Sequence, residues 1–286
     1  MMTGAKAVVP RRHNGMVLIA VLWIVAALSI IVTGMVRSAR NELRIVSGTR
    51  QALVADAIGE AAIQLALQEV LSRAERPTRL EKRMMVFQGA QVQVEQMPIN
   101  GLIDINNASE ALLAAMYRVA GGAEAADALA AETVRVRSEK SANGRVQEFE
   151  AIEDLLRVPG VDYALYARLS RLITVGARGS GKVNPLAAPE AVLRVLTAGN
   201  FERAAAIAGQ RDAGVSGIDM TAIDSQFLEA FPAQRFVMHA RVPVDGGASM
   251  VIRRDVDLTG GRQEGLPWRF IDSGRRIETA AATGLK

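Results

Sequence analysis

Residues 15–36 read GMVLIAVLWIVAALSIIVTGMV, from Gly15 to Val36, without one charged side chain. As an α-helix this run rises about 33 Å, enough to cross the hydrocarbon core of a bilayer. Before it stands MMTGAKAVVPRRHNG, which carries Lys6, Arg11 and Arg12 and no acid. A cleavable secretory signal has a shorter apolar core followed by a small-x-small site. The run here is longer, and no clean Ala-x-Ala follows it. A plain signal anchor satisfies the same physics. In a third reading the basic leader, residues 1–15, is removed after Gly15, and the apolar run stays in a mature chain beginning at Met16. Glycine suits such a junction, because an extended chain without a side chain enters a protease cleft.

The third reading is the pattern of a type IV prepilin, with Arg-Arg-His-Asn-Gly leading into Met-Val-Leu-Ile-Ala. Most such chains carry Glu at the fifth mature position; here that residue is Ala20. A carboxylate in the apolar layer is costly unless paired. In pilin-like filaments its partner is thought to be the terminal amine of the neighbouring subunit above. A subunit at the tip has no such neighbour and dispenses with the pair.

Composition narrows the remainder of the 286 residues. Hydrophobic residues make up 50% and charged residues 22%, which excludes wholesale disorder. The absence of cysteine excludes a disulfide framework, a thiolate metal site and a cysteine nucleophile. Any histidine chemistry must use His13 or His239. The net charge of +4 suggests nucleic acid until it is located. The leader contributes three of those charges, so the predicted mature chain is nearly neutral.

No proline occurs from Met16 to Arg76, and strong helix formers fill residues 37–76. Leu43, Val46, Leu53, Ala57, Ala61 and Leu65 recur at helical spacing and predict the packed stripe, with Arg50, Glu60 and Gln64 off it. Gly34, Gly48 and Gly59 are the predicted weak points. MMVFQGAQVQVEQM (84–97) alternates as a strand or hairpin. GLIDINNASEALLAAM from Gly101 then aligns without gaps to GKVNPLAAPEAVLRVL from Gly181. This predicts two related helical units, the first capped by Asn107 with Glu110, the second opened by Pro189.

Between them FEAIEDLLRVPGVDYALYARLSRLITV (149–175) reads as two helices around Pro159-Gly160. Helix-hairpin-helix motifs of this kind bind nucleic-acid backbone when basic residues follow the hairpin. Asp162 and Tyr163 follow it here, which favours a packing hairpin. Residues 132–145 (ETVRVRSEKSANGR) are basic and polar and predict a solvated connection. Asn200 to Phe231 reads as a further helical stretch. The segments 235–244, 249–258 and 266–271 alternate with period two, with turns at Asp245-Gly246-Gly247 and Gly260-Gly261. His239 lies in one of these strands and reads as a packed or surface side chain. Asp245, Asp255 and Asp257 lie near turns as weak calcium candidates, off the EF-hand spacing. No phosphate loop, dinucleotide fingerprint, HExxH or nucleophile elbow is present, so no catalytic residue is assigned.

Taken in order, GMVLIAVLW, GLIDINNASEALL, LLRVPGV, LITVGARGSGKVN with its Ala-Pro-Glu helix, and the closing strands with Trp268 resemble the general secretion pathway protein K family, minor pseudopilins of type II secretion. The resemblance covers nearly all of residues 11–272. Relatives usually carry a Trp-Arg-Asp acidic motif after the first helical unit; VRVRSEKSANGR stands there instead.

The resemblance implies an α+β fold. A long N-terminal helix, with membrane part 16–36 and periplasmic part 37–76, packs on a pilin-like antiparallel body of residues 77–106 and 232–286. A sterile-alpha-motif-like helical insert occupies 107–231. It implies cleavage between Gly15 and Met16 by a prepilin peptidase with N-methylation, and a single-pass inner-membrane protein with a periplasmic body. The implied role is a non-enzymatic one at the pseudopilus tip, starting and capping a fibre that exports folded proteins. Its partners would be the minor pseudopilins of types I and J and the major pseudopilin. Some relatives bind calcium in the α/β body, with ligands that cannot be assigned here. The competing expectation is a membrane-anchored, competence-type DNA-binding protein.

Overall fold

The computed structural model describes residues 14–140, 144–177, 179–259 and 266–279. The chain divides into two units between Val54 and Ala55. Helix α1 (Asn14–Ser72) runs without interruption through the proline-free region. It ends at Ser72, before the expected Arg76, and Arg73 just beyond it pairs with Glu81 (3.0 Å) and Glu69 (3.2 Å). In the first unit Leu18–Ser38 forms an exposed apolar stretch of 21 residues with mean hydropathy 2.6.

The second unit is built on a five-stranded antiparallel sheet in the order β1-β2-β5-β6-β7. Its members are β1 (Glu81–Phe87), β2 (Ala90–Pro98), β5 (Arg235–Pro243), β6 (Ala248–Asp257) and β7 (Arg269–Thr279). The ambiguous segment 84–97 is a hairpin, closed where Gln88 and Gly89 both adopt positive φ (49° and 80°). The last strand extends to Thr279, past the predicted Ile271, because its whole length pairs with β6. The Gly260-Gly261 turn lies outside the described residues.

Ala55, Ile58, Gly59, Ala62, Ile63, Ala66, Leu67 and Val70 are buried along α1. A Cβ on Gly59 would fall on Ile252 Cδ1 and lie 3.3 Å from Val242 Cγ2. Gly59 is therefore a close-packing contact, not the bending point predicted for it. Period-two alternation puts Val92, Val94, Met238, Ala240, Val242, Met250 and Ile252 on this same sheet face, all buried. Each large aliphatic enclosed there contributes about 1.5–3 kcal/mol. The predicted stripe is corrected: Val46, Leu53, Ala57 and Leu65 are exposed, and the packed face lies beside them. Helix and sheet are also pinned at their rim by Glu60 with Arg254, Asp56 with Arg275 (3.4 Å) and Glu69 with Arg83.

The chain leaves the sheet after Pro98 and returns at Arg235; this excursion is wider than the 107–231 expected. It holds β3 (Ile103–Asp104), α2 (Glu110–Val119), α3 (Ala126–Ser138), α4 (Tyr163–Leu169), β4 (Ile173–Thr174), α5 (Glu190–Leu196) and α6 (Phe201–Asp212). Residues 99–106 group with the insert because β3 pairs in parallel with β4. The repeat seen in sequence is a repeat in space. Ile103 is bridged in parallel by Ile173, and its counterpart Val183 by Leu228. Asp104 accepts from Asn106 N (3.0 Å), and its counterpart Asn184 accepts from Leu186 N (3.0 Å). The glycines are reciprocal: a Cβ on Gly101 would strike the Ala187 carbonyl, and one on Gly181 the carbonyl of Asn107. Asn107 and Ala187 are themselves counterparts, so the units meet about an approximate two-fold relation.

Local details depart from expectation. The cap of α2 is Ser109, which accepts from Leu112 N (3.2 Å), while Asn107 donates to Asp104 (2.9 Å). Pro189 stands at the N-cap of α5, one residue before its first turn. Residues 132–138 belong to α3 rather than to a solvated connection: Thr133 and Val136 are buried, and Arg137 donates to Ile105 O (2.8 Å). Residues 141–143 lie outside the described residues. The helical stretch expected from Asn200 to Phe231 is α6, followed by one short 3-10 turn at Ser225–Phe227.

Two predictions follow from these contacts. Gly101→Ala and Gly181→Ala should each lower stability by about 2–4 kcal/mol in denaturation of the purified chain, whereas Gly209→Ala, in open helical space, should be neutral or stabilising. Asp257 is enclosed at the end of β6, beside Arg235 (3.2 Å), which also donates to Gly176 O (2.7 Å) in the insert. Burial pushes its carboxyl up, but the Thr259 hydroxyl and amide and the Arg235 guanidinium outweigh this and hold it at about 2. A depressed pKa contributes stability that is full above the unfolded value near 3.8 and lost as pH falls through about 2. Asp257→Asn should therefore cost about 2 kcal/mol at pH 7, and the deficit should shrink below about pH 4 in thermal melts.

Candidate functional site

The predicted cleavage junction falls at the start of α1, whose helical backbone includes Asn14, Gly15 and Met16. Gly15 is thus helical here, not extended, and the first turn must unwind for a protease to reach the bond. The remainder of the leader, with Lys6, Arg11, Arg12 and His13, lies outside the described residues. Ala20 sits in the exposed apolar stretch, on a helix with no acidic residue in its first turn.

On the body, α1 leaves Ala57 and Leu65 exposed outside the face against the sheet, Leu65 by 42%. In the first unit Val46 (60%) and Leu53 (62%) are exposed as well. These are the residues that sequence spacing marked as apolar and assigned to the core. Within the second unit, Ala57 and Leu65 thus leave an open apolar patch on α1.

The hairpin consists of a 3-10 turn (Ile152–Arg157), then Pro159-Gly160, then α4. Leu155, Val158, Val161, Leu165 and Leu169 are buried within the insert. Gly160 has φ +92° and faces Leu129 Cδ2 of α3, where a Cβ would lie at 3.0 Å. Asp162, singled out as hostile to phosphate, caps α4 by accepting from Leu165 N (2.7 Å). Its carboxylate occupies the helix end that an anionic backbone would have to approach.

His239 lies on β5 across from Glu95 of β2, with Nδ1 3.6 Å from the carboxylate, and opposite Arg253 of β6. Burial pushes Glu95 up, but the His239 ring and the charges of Lys82 and Arg241 outweigh it and hold the carboxyl low. This is a cross-strand polar row on the sheet surface.

Asp245 is separated from the other two calcium candidates. Asp245 is exposed in the turn before β6, and Asp257 ends that strand, about 30 Å away at strand rise. Asp255 is held bidentately by Arg253 (2.7 and 2.8 Å), and Asp257 has the partners given above. Among the described residues no group of three His, Asp or Glu side chains is placed to hold a metal ion.

The chain matches no protein-family model and no curated protein. Among solved structures it is similar to a chain of the GspK-GspI-GspJ complex from the type 2 secretion system of enterotoxigenic Escherichia coli. The identity is 15%, the TM-score 0.50, and the match covers 82% of this chain and 99% of that one. The likeness is one of fold: a long helix, an antiparallel sheet and a helical insert make an α+β architecture like that of the matched chain.

Proposed function

We propose that the chain is a minor pseudopilin at the tip of a type II secretion pseudopilus, where it starts and caps a fibre that exports folded proteins. The observation that carries this is the pseudopilin-like fold combined with the apolar patch of Ala57 and Leu65 left open on the body's part of α1. The remaining features agree. Ala20 removes the carboxylate that a subunit within the stack would pair with the amine above it. The excursion over 99–234, joined to the sheet between adjacent strands, has the bulk to clash with a subunit stacked on it.

In this reading a prepilin peptidase cuts between Gly15 and Met16 and methylates the new amine. Leu18–Ser38 spans the inner membrane, and the body lies in the periplasm. Minor pseudopilins of types I and J pack their helices on the Ala57 and Leu65 side of α1, and the major pseudopilin follows below. The work is mechanical, without a catalytic site.

The test is assembly. Ala57→Glu with Leu65→Glu should cut co-purification with the two other minor pseudopilins at least about tenfold, the equivalent of about 1.4 kcal/mol. The melting temperature should stay unchanged, because both side chains are exposed. Undiminished co-purification would remove this face as the interface.

A further inference from the structure

Arg37, Arg40 and Arg44 follow one another at spacings of three and four just where the apolar stretch ends at Ser38. At 100° per residue they fall within an arc of about 60° on α1, and Glu42 lies on the other side of the helix. Val46 and Leu53, both exposed, stand about 150–170° round the helix from that arc. A helix seated on the apolar face would therefore leave the arginine face uncovered.

Depth decides what meets it. The stretch Leu18–Ser38 is 21 residues, about 31 Å as a helix, which matches the hydrocarbon core. Arg37 sits at its edge and is exposed. Arg40 and Arg44 come about 3 and 9 Å beyond Ser38, at the level of the headgroups.

Resting on the reading of Leu18–Ser38 as a membrane segment, we propose that Arg37, Arg40 and Arg44 form a docking face for anionic phospholipid headgroups, which fixes the depth of the helix. Cleavage after Gly15 gives this face added weight. It would remove Lys6, Arg11 and Arg12 and leave these arginines as the cationic cluster flanking the span.

The full chain in nanodiscs of equal parts phosphatidylglycerol and phosphatidylcholine tests this by native mass spectrometry of the lipids it retains. The wild type should retain phosphatidylglycerol over phosphatidylcholine by at least about fivefold, the effect of roughly one surface arginine. The triple variant Arg37→Gln, Arg40→Gln, Arg44→Gln should lose most of that preference while keeping its helical circular dichroism. Equal retention of both lipids by the wild type, or an unchanged preference in the variant, overturns the proposal. If lipid preference is absent but the variant fails to co-purify with partner subunits, the arginines serve an acidic protein surface instead. Trp23, within the apolar stretch, separates the two levels. Quenching of its fluorescence by brominated acyl chains is expected in both proteins, and no quenching would sink the membrane reading itself.

Discussion

The structure depends on seating one face of α1 flat on the antiparallel sheet. Ala55, Gly59, Ala62 and Ala66 allow the backbone to come close, and Ile58, Ile63, Leu67 and Val70 fill the space on either side. Gly59 shows how tight the seat is, with Ile252 and Val242 occupying the room that a side chain would need. Because the buried face is claimed by the sheet, the remaining apolar residues of the helix have nowhere to go but outward. The seat that stabilises the body thus also creates the surface that the proposed assembly uses.

The second constraint is how the insert is tied down. It leaves at Pro98 and returns where Phe236 pairs with that same residue, so its two ends meet across adjacent strands. Asn184 donates from its amide to Asn100 O (2.8 Å) and from its side chain to Thr78 O (2.7 Å), and Leu80 N donates to Leu186 O (2.9 Å). Arg211, almost fully buried, bonds the Ala188 carbonyl and Asp212, and Asp212 pairs with Lys82 of β1 (2.7 Å). These bonds tie the insert to the sheet at several points, which suits a subunit proposed to cap a fibre.

Much of this was legible in the sequence, for physical reasons. The apolar run from Gly15 to Val36 has one interpretation as a helix, and proline-free composition carries it onward. Period-two alternation found β2, β5, β6 and the start of β7, and left 84–97 open between a strand and a hairpin. The 80-residue repeat was visible because both copies need the glycine at the start and the Asx side chain three residues on. The packed face of α1 was not legible. Between residues 53 and 70 alanine, leucine, valine, isoleucine and glycine lie all round the helix, and spacing alone cannot choose between two adjacent apolar stripes. Residues 132–138 misled because their charges outnumber their anchors, yet Thr133 and Val136 suffice to bury one side. Asp162 was noticed as an obstacle to phosphate, but its capping role needed the backbone. Asp245 shares with Asp255 and Asp257 only a place near a turn, and the length of β6 parts it from them.

The central claim is that this chain is made as a prepilin and matures at Met16. Intact-mass and N-terminal analysis of the membrane form, with and without a prepilin peptidase, tests it most directly. The account predicts a peptidase-dependent mature chain beginning at N-methylated Met16. An unprocessed chain beginning at Met1 or Met2 in the presence of active peptidase would contradict it and leave α1 as a plain signal anchor.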